Sequence, residues 1–137
     1  MKVLLDTNII LDIVEKREPH YHDSYEVFLL AAKKVVDAIV GAGSITDIYY
    51  INRKSCSDSE QALNSIVNLL KVIIPVDTKA DDIRTAIGLG FPDFEDAVIC
   101  ATAIREQAGY IITRNIDDFS ASPVQAVTPE QFLALPG

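Results

Sequence analysis

Histidine and cysteine are both scarce, with two of each in 137 residues. Cys56 and Cys100 stand 44 positions apart and form no C-x-x-C pair, which excludes a zinc ribbon and a disulfide scaffold. Cys100, set among Val98, Ile99 and Ala101, reads as a small core residue. His20 and His22 are spaced i,i+2 and share no helix face, so neither a histidine metal site nor a Ser-His triad is expected. Long apolar runs are missing too. No uncharged stretch approaches the roughly 18–20 residues of a membrane span, and Asp6 interrupts the N-terminus before a signal region can form. A soluble, cytoplasmic protein with no membrane partner is expected. Basic residues are the minority, 12 Lys+Arg against 20 Asp+Glu, for a formal net charge of −8. Alone, that argues against tight nonspecific nucleic-acid binding, which depends on neutralising phosphates. It leaves room for an enzyme that brings divalent cations to a phosphodiester, because clustered acids add to the negative total.

What is present is apolar and regularly punctuated. Hydrophobic residues make up 49% of the chain, enough for a packed core, and residues 1–137 fit one domain without repeats or linkers. Val3–Leu5 is a short all-apolar run of the kind buried on both faces in a parallel sheet. Helical spacing follows over Thr7–Val14, with Ile9, Ile10, Ile13 and Val14 on one face, and over Asp23–Lys34 after the break at Glu18-Pro19-His20. Residues 38–42 read as a second strand closed by Gly43-Ser44. Ser44 then opens a helix to Lys54, and Ser57 or Asp58 caps another to about Leu70. Val72–Val76 is a third strand and Thr78–Leu89 a helix. Pro92-Asp93 starts a helix that runs to Gln107 and is stopped by Gly109. Tyr110–Thr113 is a fourth strand and Val124–Val127 a short fifth. Thr128-Pro129-Glu130 opens a terminal helix with Pro at its first position. Strands alternating with helices imply a parallel sheet covered on both faces. Val3–Leu5 and Tyr110–Ile112 are expected to be central and adjacent.

Polar residues at the strand ends do not fit a core. Asp6 follows the first strand directly, where open α/β sheets keep their active sites. It would serve equally as an N-cap for the next helix. Asp47 falls three residues after Ser44, the spacing of a capping box, and alone reads as structural. Asp93 suits the N-cap of its helix. Asp96, one turn on, shares a flank with Cys100 and Ala103, where an unpaired charge is costly, so a functional reading is favoured. Glu95, Thr102 and Glu106 define the opposite, solvated face. After the fourth strand comes Thr113-Arg114-Asn115-Ile116-Asp117-Asp118-Phe119. Phe119 would anchor this loop and aim its polar groups inward, and Arg114 reads as a surface residue in preference to a phosphate contact. Two carboxylates about 4 Å apart repel by about 4 kcal/mol at an effective dielectric near 20. Three or four together would consume much of a typical stability of roughly 5–15 kcal/mol. A cation is therefore expected, and an all-oxygen donor set favours Mg²⁺ or Mn²⁺ over zinc or copper.

Leu5-Asp6-Thr7-Asn8, Ser44 to Tyr50, Asp93-Phe94-Glu95-Asp96-Ala97 with Ala101-Thr102-Ala103, and Ile112-Thr113-Arg114-Asn115 with Asp118-Phe119 occur in this order across nearly the whole chain. In these pieces the sequence resembles the PIN-domain family of metal-dependent ribonucleases, especially the stand-alone toxins of VapBC-type toxin–antitoxin pairs. The resemblance implies an α/β fold, a three-layer α/β/α sandwich around a parallel sheet ordered 3-2-1-4-5. It implies a divalent-metal-dependent endoribonuclease using Mg²⁺, with Mn²⁺ able to substitute. Asp6 and Asp96 match the family's most characteristic metal-ligand acids. Asp47 stands where Glu is usual, Asn115 where many members have Asp, and Asp118 at a further acid of the loop. Thr113 matches a position that orients the site. The metal ligands implied are Asp6, Asp96, Asp47 and Asp118, with Asn115 completing the catalytic set. An RNA substrate, a small antitoxin and a homodimer are the implied partners, with Tyr49, Tyr50 or the second helix as apolar contact area. A catalytically weak PIN-like module that binds RNA or protein is the alternative, motivated by Asn115 and the acidic charge. A haloacid-dehalogenase-type phosphatase would want Asp at position 8, which is Asn, and no GxGxxG marks a dinucleotide-binding fold.

Overall fold

In the computed structural model, which describes residues 1–136, five parallel strands form one sheet in the order β3-β2-β1-β4-β5. The strands are β1 (Lys2–Leu5), β2 (Asp37–Gly41), β3 (Ile74–Val76), β4 (Tyr110–Ile112) and β5 (Ala126–Val127). The helices are α1 (Thr7–Val14), α2 (Tyr21–Ala32), α3 (Ala42–Cys56), α4 (Ser59–Leu69), α5 (Ala80–Ile87), α6 (Phe94–Arg105) and α7 (Pro129–Leu133). The expected strand order holds. β1 and β4 are neighbours, with Leu4 opposite Ile111 and Leu5 opposite Ile112.

The two-residue period of the strands builds the layers. Val3 and Leu5 of β1, Ala38 and Val40 of β2, Ile112 and Val127 face one side, where α1, α2, α4 and α7 close over them. Leu4, Ile39 and Ile111 face the other, against Ile99, Cys100 and Ala103 of α6. Both faces of β1 are thus buried, so its C-terminal end is the natural meeting point of the two layers. Among the described residues no helix is long and apolar enough to cross a membrane.

Several boundaries differ from the sequence expectation, each for an identifiable reason. α3 starts at Ala42 after an extended Gly41 cap, two residues before Ser44. Its early amide at Gly43 donates to the Thr78 hydroxyl (3.3 Å), a partner 35 residues away. Asp47 therefore lies in the second turn of α3 and is no part of a capping box. β3 is shorter than expected because the Val72 and Ile73 amides donate to the Leu69 carbonyl, winding off the end of α4. Pro75 is exposed on this edge strand, where a missing N–H is tolerated. α5 begins at Ala80, since the Asp82 carboxylate accepts the Lys79 amide (2.9 Å) and closes the first turn there. α6 stops at Arg105, and the left-handed residue after it is Gln107 (φ 57°) in place of the expected glycine. Asp58 and Asp93 cap their helices and Pro129 takes the first position of α7 as the sequence predicts; a Thr128/Gln131 capping box, not anticipated from the sequence, closes that first turn.

Candidate functional site

Asp6 is held by its own backbone first. Its amide donates to the Ile112 carbonyl (2.9 Å), extending the β1–β4 ladder by one step. That places the carboxylate beside Thr113, the first residue after β4. One carboxylate oxygen accepts the Thr7 amide and the other the Thr113 hydroxyl, both at 2.8 Å. The cap and the site are therefore one side chain, and each oxygen keeps a lone pair free. Asp6 is 5% exposed, and burial raises its pKa despite Thr113, Thr7 and the charge of Arg114.

Asp96 reaches the same place from the first turn of α6. Its amide donates to Asp93 Oδ1 (2.9 Å), so Asp93 caps and Asp96 is free to point at the sheet edge. Its carboxyl is pushed up to about 7, first by burial and then by the charges of Asp6, Asp93, Asp118 and Glu95. Asp118 stands in a 3₁₀ turn, Ile116–Phe119, that Phe119 pins down: Phe119 is 3% exposed and packs edge-on to Phe91 with ring centroids 5.8 Å apart. Asn115 precedes that turn, its amide donating to the Thr113 hydroxyl (3.1 Å). Asp47 comes from α3.

All five residues expected from the sequence, Asp6, Asp47, Asp96, Asn115 and Asp118, line one open pocket of about 440 Å³. Two further acids stand with them. Asp93 was assigned to the cap alone. Glu95, expected on a solvated face with Thr102 and Glu106, is exposed as expected but also lines the pocket, where partial burial together with Asp47 and Asp93 raises its pKa. The solvated face fails at Thr102. Thr102 packs on α5, is 2% exposed and donates to Asp82 (3.3 Å), so the flank is interior there while Glu95 at its start stays exposed. A first-turn acid beside Asp96 was the available signal for Glu95.

Arg114 also departs from expectation. Its Nε lies 2.8 Å from Asp12 Oδ2, and Asp12 is fully buried in α1. Burial raises the Asp12 pKa against the opposing charges of Arg114, His20 and Arg17. The pair ties the loop after β4 to α1, and the Arg114 charge also reaches Asp6. Positions 12 and 114 share no local pattern, so nothing in the sequence signals this contact.

The residues fit a hard divalent cation by chemistry: every donor is oxygen, the acids raise one another's proton affinity, and no lysine lines the pocket to neutralise them. Among the described residues no group of three or more His, Cys, Asp or Glu is preassembled for an ion. Mutual repulsion is a sufficient reason for carboxylates to stand apart.

Thr113 is the rigid element here, at 0% exposure. Thr113→Val keeps the shape but removes the donor to a buried carboxylate. It should cost about 1–3 kcal/mol in urea unfolding at pH 7 with EDTA, and a variant as stable as the parent would remove Thr113 from this role.

The comparisons with known proteins agree with the fold. A family model described as PIN domain matches residues 2–117. Ribonuclease VapC1 of Aquifex aeolicus is 25% identical over 136 residues, covering 96% of this chain and 92% of that protein. Among solved structures, VapBC2 from Rickettsia felis, bound to a DNA fragment from its promoter, superposes with a TM-score of 0.73 at 22% identity over 93% of this chain and 98% of the other. DNA-bound VapBC from Salmonella typhimurium gives 0.71 at 14% identity, over 94% and 98%.

Proposed function

We propose that this chain, which belongs to the PIN-domain family, is a divalent-metal-dependent endoribonuclease and the toxin of a toxin–antitoxin pair, working in the cytoplasm. The observation that carries the reading is the convergence of Asp6, Asp47, Asp96, Asn115 and Asp118 on one pocket at the C-terminal edge of β1 and β4. The ribonuclease relative, matched over nearly its full length, supports RNA as the substrate.

Asp6 and Asp96 would hold the principal Mg²⁺ or Mn²⁺, with Asp47 and Asp118 completing the ligand set and Asn115 offering a neutral carbonyl oxygen. Such an ion lowers the pKa of a bound water and polarises the phosphodiester. Thr113 fixes the rotamer of Asp6, so one oxygen faces the pocket in a set direction. Phe119 fixes the turn that presents Asp118. The acids repel an approaching phosphate until they are neutralised, which makes RNA binding metal-dependent. Tyr50, 63% exposed, links the acid pocket to a neighbouring hollow lined by Arg53 and Lys54. That hollow gives the strand a basic track on an otherwise acidic molecule. Masking by a small antitoxin, supported by the VapBC complexes among the structural neighbours, and assembly as a homodimer are part of the same reading. Co-purification with a small DNA-binding protein from the native operon tests the first, and light scattering of the isolated chain tests the second.

A second reading keeps the fold and drops the catalysis. Asn115 adds no charge and cannot act as a base, which favours a weak or inactive module. Metal separates the two. Saturating Mn²⁺ should raise the melting temperature by roughly 5–10 °C, as expected for about 2–3 kcal/mol of ligand-linked stabilisation, and should switch on cleavage of single-stranded RNA. No shift together with no cleavage would favour the module.

A further inference from the structure

Beside the acid pocket lies a second cavity of about 330 Å³. Asp47 and Glu95 stand in the wall common to both. One side of the cavity is apolar, formed by Leu4 and Leu5 of β1 with Val98 and Ile99 of α6. The opposite side is bare backbone at Gly41 and Gly43, where α3 leaves the sheet. A Cβ at Gly43 would meet the Thr78 hydroxyl at 3.3 Å, so this wall is kept flat by the absence of a side chain. Phe94 lines the cavity from the first residue of α6 and is 52% exposed, a large aromatic surface that the core does not use. The polar groups of the cavity include the Asp47 and Glu95 carboxylates and the Ser44 and Thr78 hydroxyls. The carboxylates can only accept hydrogen bonds from a ligand when ionised.

We propose that this cavity is a subsite for one nucleobase of the RNA strand, turned out beside the scissile phosphate and stacked on Phe94. The inference rests on the ribonuclease reading and adds a substrate contact to it. Single-stranded RNA is recognised through splayed bases that stack on aromatic side chains and hydrogen-bond along their edges. A half-enclosed apolar slot with an aromatic lining residue and a few polar groups has that character. Its shared wall with the acid pocket puts the base one step from the proposed cleavage point. Guanine fits the acceptors best, because its N1–H and N2–H are adjacent donors that one carboxylate can take as a pair. Adenine and cytosine offer a single amino group beside an acceptor nitrogen, and uracil a lone N–H between carbonyls.

The chain contains no tryptophan, so Phe94→Trp makes a single fluorescent reporter at the proposed stacking position. Titration with GMP, AMP, CMP, UMP and ribose 5-phosphate, in Mn²⁺, should give saturable quenching that is tightest for GMP. GMP should bind roughly tenfold tighter than UMP, and ribose 5-phosphate should give none. Phe94→Ala should lower kcat/KM on single-stranded RNA about tenfold or more while keeping the parental Mn²⁺-induced melting shift, and Phe94→Trp should restore cleavage. Absent quenching, equal quenching by ribose 5-phosphate, or parental cleavage by Phe94→Ala overturns the subsite. Equal quenching by all four nucleotides overturns the guanine preference. A parental protein that cleaves no RNA refutes the nuclease reading itself, whereas cleavage indifferent to position 94 refutes the subsite alone.

Discussion

Asp96→Asn is expected to lose at least about 100-fold in Mn²⁺-dependent RNA cleavage and to gain about 2 kcal/mol of stability in EDTA at pH 8. The loss follows from its proposed place as a ligand, since even residues one shell further out typically cost about 10–100-fold. The gain has the opposite sign because the metal-free site is a collection of like charges. The Asp96 carboxyl is pushed up to about 7 by burial and by Asp6, Asp93, Asp118 and Glu95. An acid whose folded value lies above its unfolded value, near 3.9, weakens the fold as pH rises between the two and carries the full penalty above the higher one. Fully counted, that displacement would be about 4 kcal/mol, and water at the open pocket screens it to about 2. Asn carries no charge, so it escapes the penalty and cannot be rescued by metal. Urea unfolding with and without Mn²⁺, beside a cleavage assay, reads both effects. Retained cleavage would remove Asp96 from the site. A variant less stable than the parent in EDTA would show that the acid is held by favourable contacts and not against repulsion.

Arg105→Ala should destabilise the fold by about 3–5 kcal/mol. Asp82 is 2% exposed between α5 and α6. Its carboxylate accepts from Arg105 Nε (2.9 Å) and Nη2 (3.1 Å), from the Lys79 amide (2.9 Å) and from the Thr102 hydroxyl (3.3 Å). Arg105 also donates to the Asp77 carbonyl and to Glu106. Burial by itself would raise the Asp82 pKa, but the hydrogen bonds from Arg105 and Lys79 with the Arg105 charge hold it below the usual carboxylate range. A depressed folded value contributes stability that is complete above the unfolded pKa and is lost as pH falls through the folded one. In the parent, then, the pair is fully effective at pH 7. In Arg105→Ala the buried acid has lost its countercharge, its folded value rises, and protonation relieves it. The deficit against the parent should be largest at neutral pH and shrink toward pH 4. A deficit under about 1 kcal/mol, or one independent of pH, would mean that solvent already supports Asp82.

The local grammar of the chain accounts for most of the architecture. β1 and β4 are apolar runs with no polar face, so they belong in the middle of a parallel sheet, and Asp6 follows because it is the residue at which the first run ends. Asp58, Asp93 and Thr128 were legible because a cap is an interaction over two or three residues. The α3 start was not, because its early amide is satisfied by Thr78, which no neighbouring residue announces. Gly109 was a reasonable helix stop, and Gln107 took the left-handed position instead, its helix end held by Ala108 bonding back to Ala103.

The same division runs through the candidate site. Asp6, Asp47, Asp96, Asn115 and Asp118 could be named from the sequence because each sits at a strand end or near a helix start, and because a family pattern aligns them. Glu95 is solvated as its helix face suggests, and its place in the acid pocket depends on where α3 brings Asp47. Asp12 and Arg114 form an ion pair across 102 positions of chain, and Phe94 meets Gly43 across one cavity from different elements. Periodicity and capping are short-range forces written in adjacent residues, so the sequence by itself determined the number of strands, the caps made within two or three residues, and the candidate acids. Which charge is buried against which, and what space is left between them, is decided only when the layers close, because packing selects partners by shape from the whole chain.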